Sequence, residues 1–289
     1  MSIPPLRNGF VDYVRLLAAF GVVWYHSQAP GDRIAYLAMP FFLVLLGRPS
    51  QVRLGRRALL LLQPFLVWSV IYGIVNVVLA LINRQAILGW VQADMILTGT
   101  AIHLWFLPFA FFVAVIVPFL KAPATALAAP VAAALLVGSL DPQGMTPLPQ
   151  WLFGLVPALL GVAFFRSGLL SLVSLGVVMA VMGTLRDSPD NLTIGLGTLM
   201  GIACLSVHLP ATRLSDWCAR ISLSVYLCHW LILMIADRLG FSSHGLAASG
   251  IIGSVLLAVA LDMIKTRLSR PQARARLRVM APAAQDQGS

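Results

Sequence analysis

Glutamate is missing from this sequence altogether, and charge of either sign is scarce. Only 10% of the 289 residues are charged, against about 25% in an ordinary soluble domain. Such a chain cannot clothe a globular surface in polar groups, which excludes a water-soluble fold. Cysteine is rare as well. Cys204, Cys218 and Cys228 lie in or beside apolar stretches without the spacing of metal ligands, so they read as small buried hydrophobes and give no metal site. Internal repeats, low-complexity linkers and any polar segment long enough for a soluble domain are also lacking.

What is present is apolar. Hydrophobic residues make up 59% of the chain, and the mean hydropathy is +0.89. A membrane span needs about 20 such residues. Ten candidate segments emerge, at 10–28, 35–47, 58–82, 103–120, 122–140, 150–165, 169–186, 192–209, 220–238 and 246–264. The second and sixth are short and would have to stand with little tilt. The expectation is an all-α, polytopic transmembrane helix bundle of about ten spans. Residues 1–264 form one membrane domain, and 265–289 form a basic tail expected to be poorly ordered. The first apolar stretch could pass for a signal peptide, but Asp12 and Arg15 interrupt it and many spans follow, so we expect it to be retained.

The net charge of +10 does not indicate nucleic acid, because the basic residues fall in short clusters between apolar runs. Alternating ten spans from a cytoplasmic N-terminus places Arg7, Arg48, Arg53, Arg56, Arg57, Lys121, Arg166, Arg213, Arg220 and the basic residues from Lys265 to Arg278 inside. Only Arg33, Arg84, Arg186 and Arg238 then lie outside. This positive-inside bias puts both termini in the cytoplasm. Asp32, Asp94, Asp141, Asp187 and Asp190 fall in the outer loops, and Trp24, Trp90, Trp105 and Trp151 lie near the same boundary. The tail is an orientation signal that also suits contact with anionic membrane lipid.

The first span, "DYVRLLAAFGVVWYHSQ", contains ionisable residues that lipid disfavours. Arg15 and His26 are eleven positions apart, a rise of about 16 Å with a rotational mismatch of about 20°, so they share one helix face. Asp12, three residues before Arg15, can pair with it. Residues near the ends of a span can also reach the interfaces by snorkelling, so spacing alone leaves both readings open.

The motifs narrow the choice. Arg15, ten residues, then His26 resembles the first-helix signature of the acyltransferase-3 family of membrane O-acyltransferases. "MPFFLVLLG", ending at Gly47, resembles the family's Phe-Phe-Val-Leu-Ser-Gly segment. "RLGRRALLLLQPFLVWSVIY" is similar to its basic loop, with Arg53 and Arg56 as Arg-x-x-Arg, and to the span after it with Pro64. "HLWFLP" at 103–108 and "ISLSVYLCH" at 221–229 resemble two further stretches, in the family's order. The sequence departs from the pattern at Leu16, Leu43 and Leu46, and 122–209 matches only in hydropathy.

The resemblance implies transfer of an acyl group, commonly acetyl, from cytoplasmic acetyl-CoA or another acyl-CoA to a hydroxyl of a glycan or glycolipid, in a bacterial inner membrane. Such chemistry needs a base, an anchor for an anionic donor and stabilisation of an oxyanion. His26 suits the base, since imidazole titrates near neutrality. Arg15 never loses its proton and suits donor binding or charge stabilisation. Arg48, Arg53, Arg56 and Arg57 suit the donor phosphates. Supporting candidates are Asp12, His103, Trp105, Tyr226 and His229. His103 is expected mainly to cap its helix at the interface, and Tyr226 and His229 share one face of the ninth span. A competing class is a small-solute transporter or lipid flippase with Arg15 and His26 in its permeation path. Two related halves would favour it, and none is visible.

Overall fold

A computed structural model describes residues 8–50, 52–140, 146–185 and 188–280, with backbone alone at 189 and 268–280. Arg7, Asp141, Arg186, Asp187 and the last nine residues, which entered the topology argument, lie outside the described residues. The described residues are helical, without strands. The helices are α1 (Gly9–His26), α2 (Asp32–Ala35), α3 (Ala38–Leu46), α4 (Leu54–Ile82), α5 (Met95–Thr98), α6 (Phe106–Ile116), α7 (Pro123–Ser139), α8 (Leu148–Ser167), α9 (Ser171–Leu185), α10 (Pro189–Ser206), α11 (Arg213–Arg238) and α12 (Ser243–Met280).

Each apolar segment expected from the sequence coincides with one of these helices. Among the described residues, five helical stretches are long and apolar enough to cross a membrane: Leu54–Ile82, Ile102–Phe119, Leu148–Leu185, Arg213–Arg238 and Ser243–Arg267. The segment expected at 35–47 differs from a full span. Its helix, α3, has nine residues and rises about 14 Å, roughly half of an apolar core about 30 Å thick. The last helix runs beyond position 264 to Met280.

Helix α4 shows which solvent the bundle meets. Its buried residues are Phe65, Trp68, Tyr72 and Ala80, a single narrow stripe. Leu59, Leu66, Val70 and Ile74, all 60–66% exposed, lie off that stripe. A helix apolar on its exposed side as well as its packed side belongs in hydrocarbon.

Two helices distant in sequence form the frame of the site. Asn8 caps α1, its Oδ1 accepting from Phe10 N at 3.0 Å and from Leu209 N at 3.3 Å, while its amide donates to Val207 O at 2.6 Å. Thr212 caps α11 in a reciprocal pair with Ser215 and meets the Tyr13 hydroxyl at 2.6 Å. The two helices therefore begin side by side and run parallel. Their facing stripes have helical spacing, Leu16, Ala19 and Val23 against Cys218, Ile221 and Val225, all buried in one cluster. At the far end His26 of α1 consequently meets His229 of α11.

Helices α3 and α8 cross at van der Waals limit. A methyl group on Gly161 would overlap the Val44 backbone, and one on Gly47 would overlap the backbone at 161 and 162. Paired glycines let membrane helices approach this closely. The crossing places Phe42, Leu45 and Leu46 against the interior.

Candidate active site

Three imidazoles from separate parts of the chain converge. His26 ends α1, whose last turn is closed by Ser27, its N–H donating to Val23 O at 3.1 Å and its hydroxyl to Trp24 O at 2.7 Å. His103 lies in the 3-10 turn Ile102–Trp105. That turn follows Gly99, whose φ of 67° and crowding by Ser69 and Phe65 leave no room for a side chain. The Thr100 hydroxyl donates to Ser69 O, and the Asn76 amide donates to Thr100 O at 3.0 Å. The loop bearing His103 is thus bound to α4. His229 stands mid-way along α11, fully buried.

The rings touch. His26 and His229 stack with centres 5.3 Å apart and planes at 28°, and His103 meets His229 edge-on at 5.0 Å. Trp230 packs against His26 at 5.4 Å and His103 at 6.2 Å, and Tyr72 against His103 at 5.1 Å. Backbone carbonyls set the tautomers. His229 Nδ1 donates to Tyr226 O, and His103 Nε2 donates to Leu227 O at 3.4 Å. Nε2 of His229 and Nδ1 of His103 have no hydrogen-bond partner among the described residues, so each neutral ring holds its lone pair there. Among the described residues, no three His, Cys or Asp side chains are grouped as a metal ion requires.

Tyr72 binds this cluster to the bundle. Its hydroxyl donates to Leu227 O at 2.8 Å and accepts from Leu231 N at 3.2 Å. These are the two groups that an α-helix ordinarily joins to each other. Tyr226 adds a reciprocal tie, its hydroxyl donating to His103 O. Neither Tyr72 nor Trp230 was singled out by sequence reasoning. The available signal was a polar-tipped aromatic within an apolar span, which must find a partner when buried.

Arg15 lies at the other end of α1, 3.9 Å from the buried Asp12. It lines a cavity of about 290 Å³ with Arg48, Phe42, Phe106, Ser222 and Tyr226, among others. Arg53 and Arg56 are exposed at the start of α4 and Arg57 is half-buried; none of the three lines that cavity. Trp105 is buried, with ring contacts to Phe106 and Phe109 rather than to the imidazoles. His103 departs from its expected role, since it is an interior residue, 3% exposed, and not an interfacial cap.

Arg15 and His26 share a helix face but do not open onto one cavity. His26 faces a different recess, of about 220 Å³, which shares no lining residue with the first cavity. A ring layer separates them, running from Tyr226 through His229, 5.8 Å away, to His26. The arrangement is a cationic pocket on one side and an imidazole opening on the other.

The family model described as an acyltransferase domain, that of the acyltransferase-3 family, matches residues 8–170. The chain belongs to this family, and its apolar helices make it a multi-pass membrane protein. No curated protein and no solved structure matches it.

Proposed function

We propose that this membrane acyltransferase is an O-acyltransferase that moves an acyl group, acetyl in the simplest case, from cytoplasmic acyl-CoA to a hydroxyl of an exported glycan or its lipid-linked precursor. The donor enters from the Arg15 end, which the positive-inside bias assigns to the cytoplasm of a bacterial inner membrane. Arg15 and Arg48 hold its charge in the cavity, and Arg53, Arg56 and Arg57 attract its phosphates outside. The acceptor approaches from the opposite end.

The Tyr226–His229 ring layer parts to let the acyl thioester reach the recess, where His26 takes the proton of the acceptor hydroxyl, whose oxygen bonds to the acyl carbonyl carbon. The thioester C–S bond breaks, and the departing thiolate takes up the proton. His103 and His229, held in fixed tautomers by backbone carbonyls, keep the His26 ring in place. The observation that supports this reading best is the stacking of His26 on His229 at the far end of α1 from the Arg15–Arg48 cavity.

The test is thiol release from acetyl-CoA by the purified protein. A general base contributes about 10²–10⁴-fold, so His26→Ala should lower kcat by at least about 100-fold while the protein still elutes as a folded species. Release at the wild-type rate by that variant would remove His26 from the chemistry. A panel of acyl-CoA donors reads the preferred acyl length.

A further inference from the structure

The recess that His26 faces lies between the end of α1 and the outer part of α11 and is lined in part by Gln28, Trp230 and Asp237. Its volume of about 220 Å³ is below the roughly 300–1,000 Å³ typical of pockets for drug-sized ligands. It suits one ring rather than an extended oligomer. Trp230 is half-buried, its indole braced from behind by His26 and His103. Asp237 is exposed and is the only fully charged side chain among the lining residues.

Gln28 occupies an unusual backbone position for its type. Its φ is 53°, in the left-handed region where a helix end ordinarily uses glycine. The turn is held by Gln28 N donating to Tyr25 O at 3.1 Å and by the Trp24 indole donating to Pro30 O at 3.1 Å. A glutamine in this conformation is strained, which the fold tolerates at the rim of the recess beside His26.

An apolar aromatic face, an amide and a carboxylate around one small opening match a sugar ring, which offers a C–H face and a fringe of hydroxyls. We infer that this recess is the acceptor subsite, seating a single neutral or amino-bearing pyranose on Trp230. Gln28 and Asp237 hydrogen-bond its hydroxyls, and the hydroxyl to be acylated faces His26. The carboxylate selects against a uronate or phosphorylated ring, because like charges brought together are unfavourable. This inference rests on the acyltransferase reading and adds the acceptor's seat and charge class.

The test uses the purified full-length protein with acetyl-CoA and three probes: methyl β-D-glucopyranoside, methyl β-D-glucosaminide and methyl β-D-glucuronide. Thiol release and acetyl ester on the glycoside are both measured. The first two probes should become acetylated, with the glucuronide about tenfold poorer in kcat/KM. Asp237→Asn should bring the glucuronide close to parity. Trp230→Ala should raise glycoside KM about tenfold, Trp230→Phe should restore most of that loss, and the KM for acetyl-CoA should stay as in wild type, showing an intact donor side. Wild-type glycoside KM in Trp230→Ala together with unaltered charge preference in Asp237→Asn would overturn the subsite and leave the acyltransferase reading standing. So would thiol release with no ester on any glycoside. Failure of the wild type to release thiol from any acyl-CoA would overturn both.

Discussion

Replacing Tyr72 by Phe removes one oxygen and tests whether the imidazole cluster needs its tie to α4. The hydroxyl serves two buried backbone groups, Leu227 O and Leu231 N, on a residue only 1% exposed. A lost hydrogen bond costs about 1 kcal/mol, and an orphaned buried group about 1–3 kcal/mol. Here the two groups freed are four residues apart on one helix and can bond to each other. The stability cost should therefore stay near 1 kcal/mol, a fall in Tm of about 2 °C for a chain of this size. The functional cost should be larger. Leu227 O also accepts from His103 Nε2, and His229 and Trp230 lie within the bridged turn. Loss of the bridging hydroxyl frees that turn from α4 and alters how both present themselves to His26. Displacements near 1 Å can cost about 100-fold in rate, so kcat for thiol release should fall at least about tenfold. The two readouts are thermal unfolding in detergent and acetyl-CoA turnover per folded molecule. Wild-type turnover with a marked loss of Tm would make Tyr72 a packing residue only and refute the tie.

Three further outcomes are expected. Arg15→Lys keeps the positive charge but loses the bidentate fork; the KM for acetyl-CoA should rise about tenfold with a smaller change in kcat, and an unchanged KM would place the donor elsewhere. Gly161→Ala drives a methyl into the Val44 backbone, an overpacking cost of about 3 kcal/mol or more, so unfolding should begin several degrees lower; wild-type Tm would contradict the close crossing. Tyr226→Ala opens the ring layer between cavity and recess, and because closed sites exclude water from reactive intermediates, thiol release without acceptor should increase relative to ester formation, whereas Tyr226→Phe should retain the wild-type ratio; equal ratios in all three proteins would show that this ring separates nothing.

The helices were legible because a run of apolar residues in lipid has few alternatives to hydrogen-bonding its own backbone. Ten expected segments meet ten helices, with the difference that 35–47 holds only the nine-residue α3, the short α2 lying just before it. The common face of Arg15 and His26 was legible from helical geometry within one segment. The convergence on His26 was not. His103 owes its place to Gly99 and the ties from Ser69 and Asn76, and His229 owes its place to the parallel register of α1 and α11. Both depend on packing between segments far apart in sequence, which periodicity does not encode. Tyr72 was hidden for a related reason. On an apolar helix such as α4, nothing local distinguishes the stripe of Phe65, Trp68 and Tyr72 from the faces that meet lipid.

The division of the site across the chain has a consequence for how it forms. The family match ends at residue 170, and it includes Arg15, His26, Arg48, Tyr72 and His103. The opposite wall, Tyr226, His229 and Trp230, comes from α11. This helix is held to α1 at one end by Tyr13 with Thr212 and along its length by the Val23–Val225 stripe. Tyr72 and His103 then engage carbonyl 227 from the other side. Helix α11 is thus clamped between α1 and α4, and its carbonyls at 226 and 227 set the tautomers of two imidazoles. His229 takes its tautomer from carbonyl 226 of its own helix, but that of His103 is fixed by carbonyl 227 only once the clamp is closed, so the site belongs to the assembled bundle and not to the first-helix motif alone.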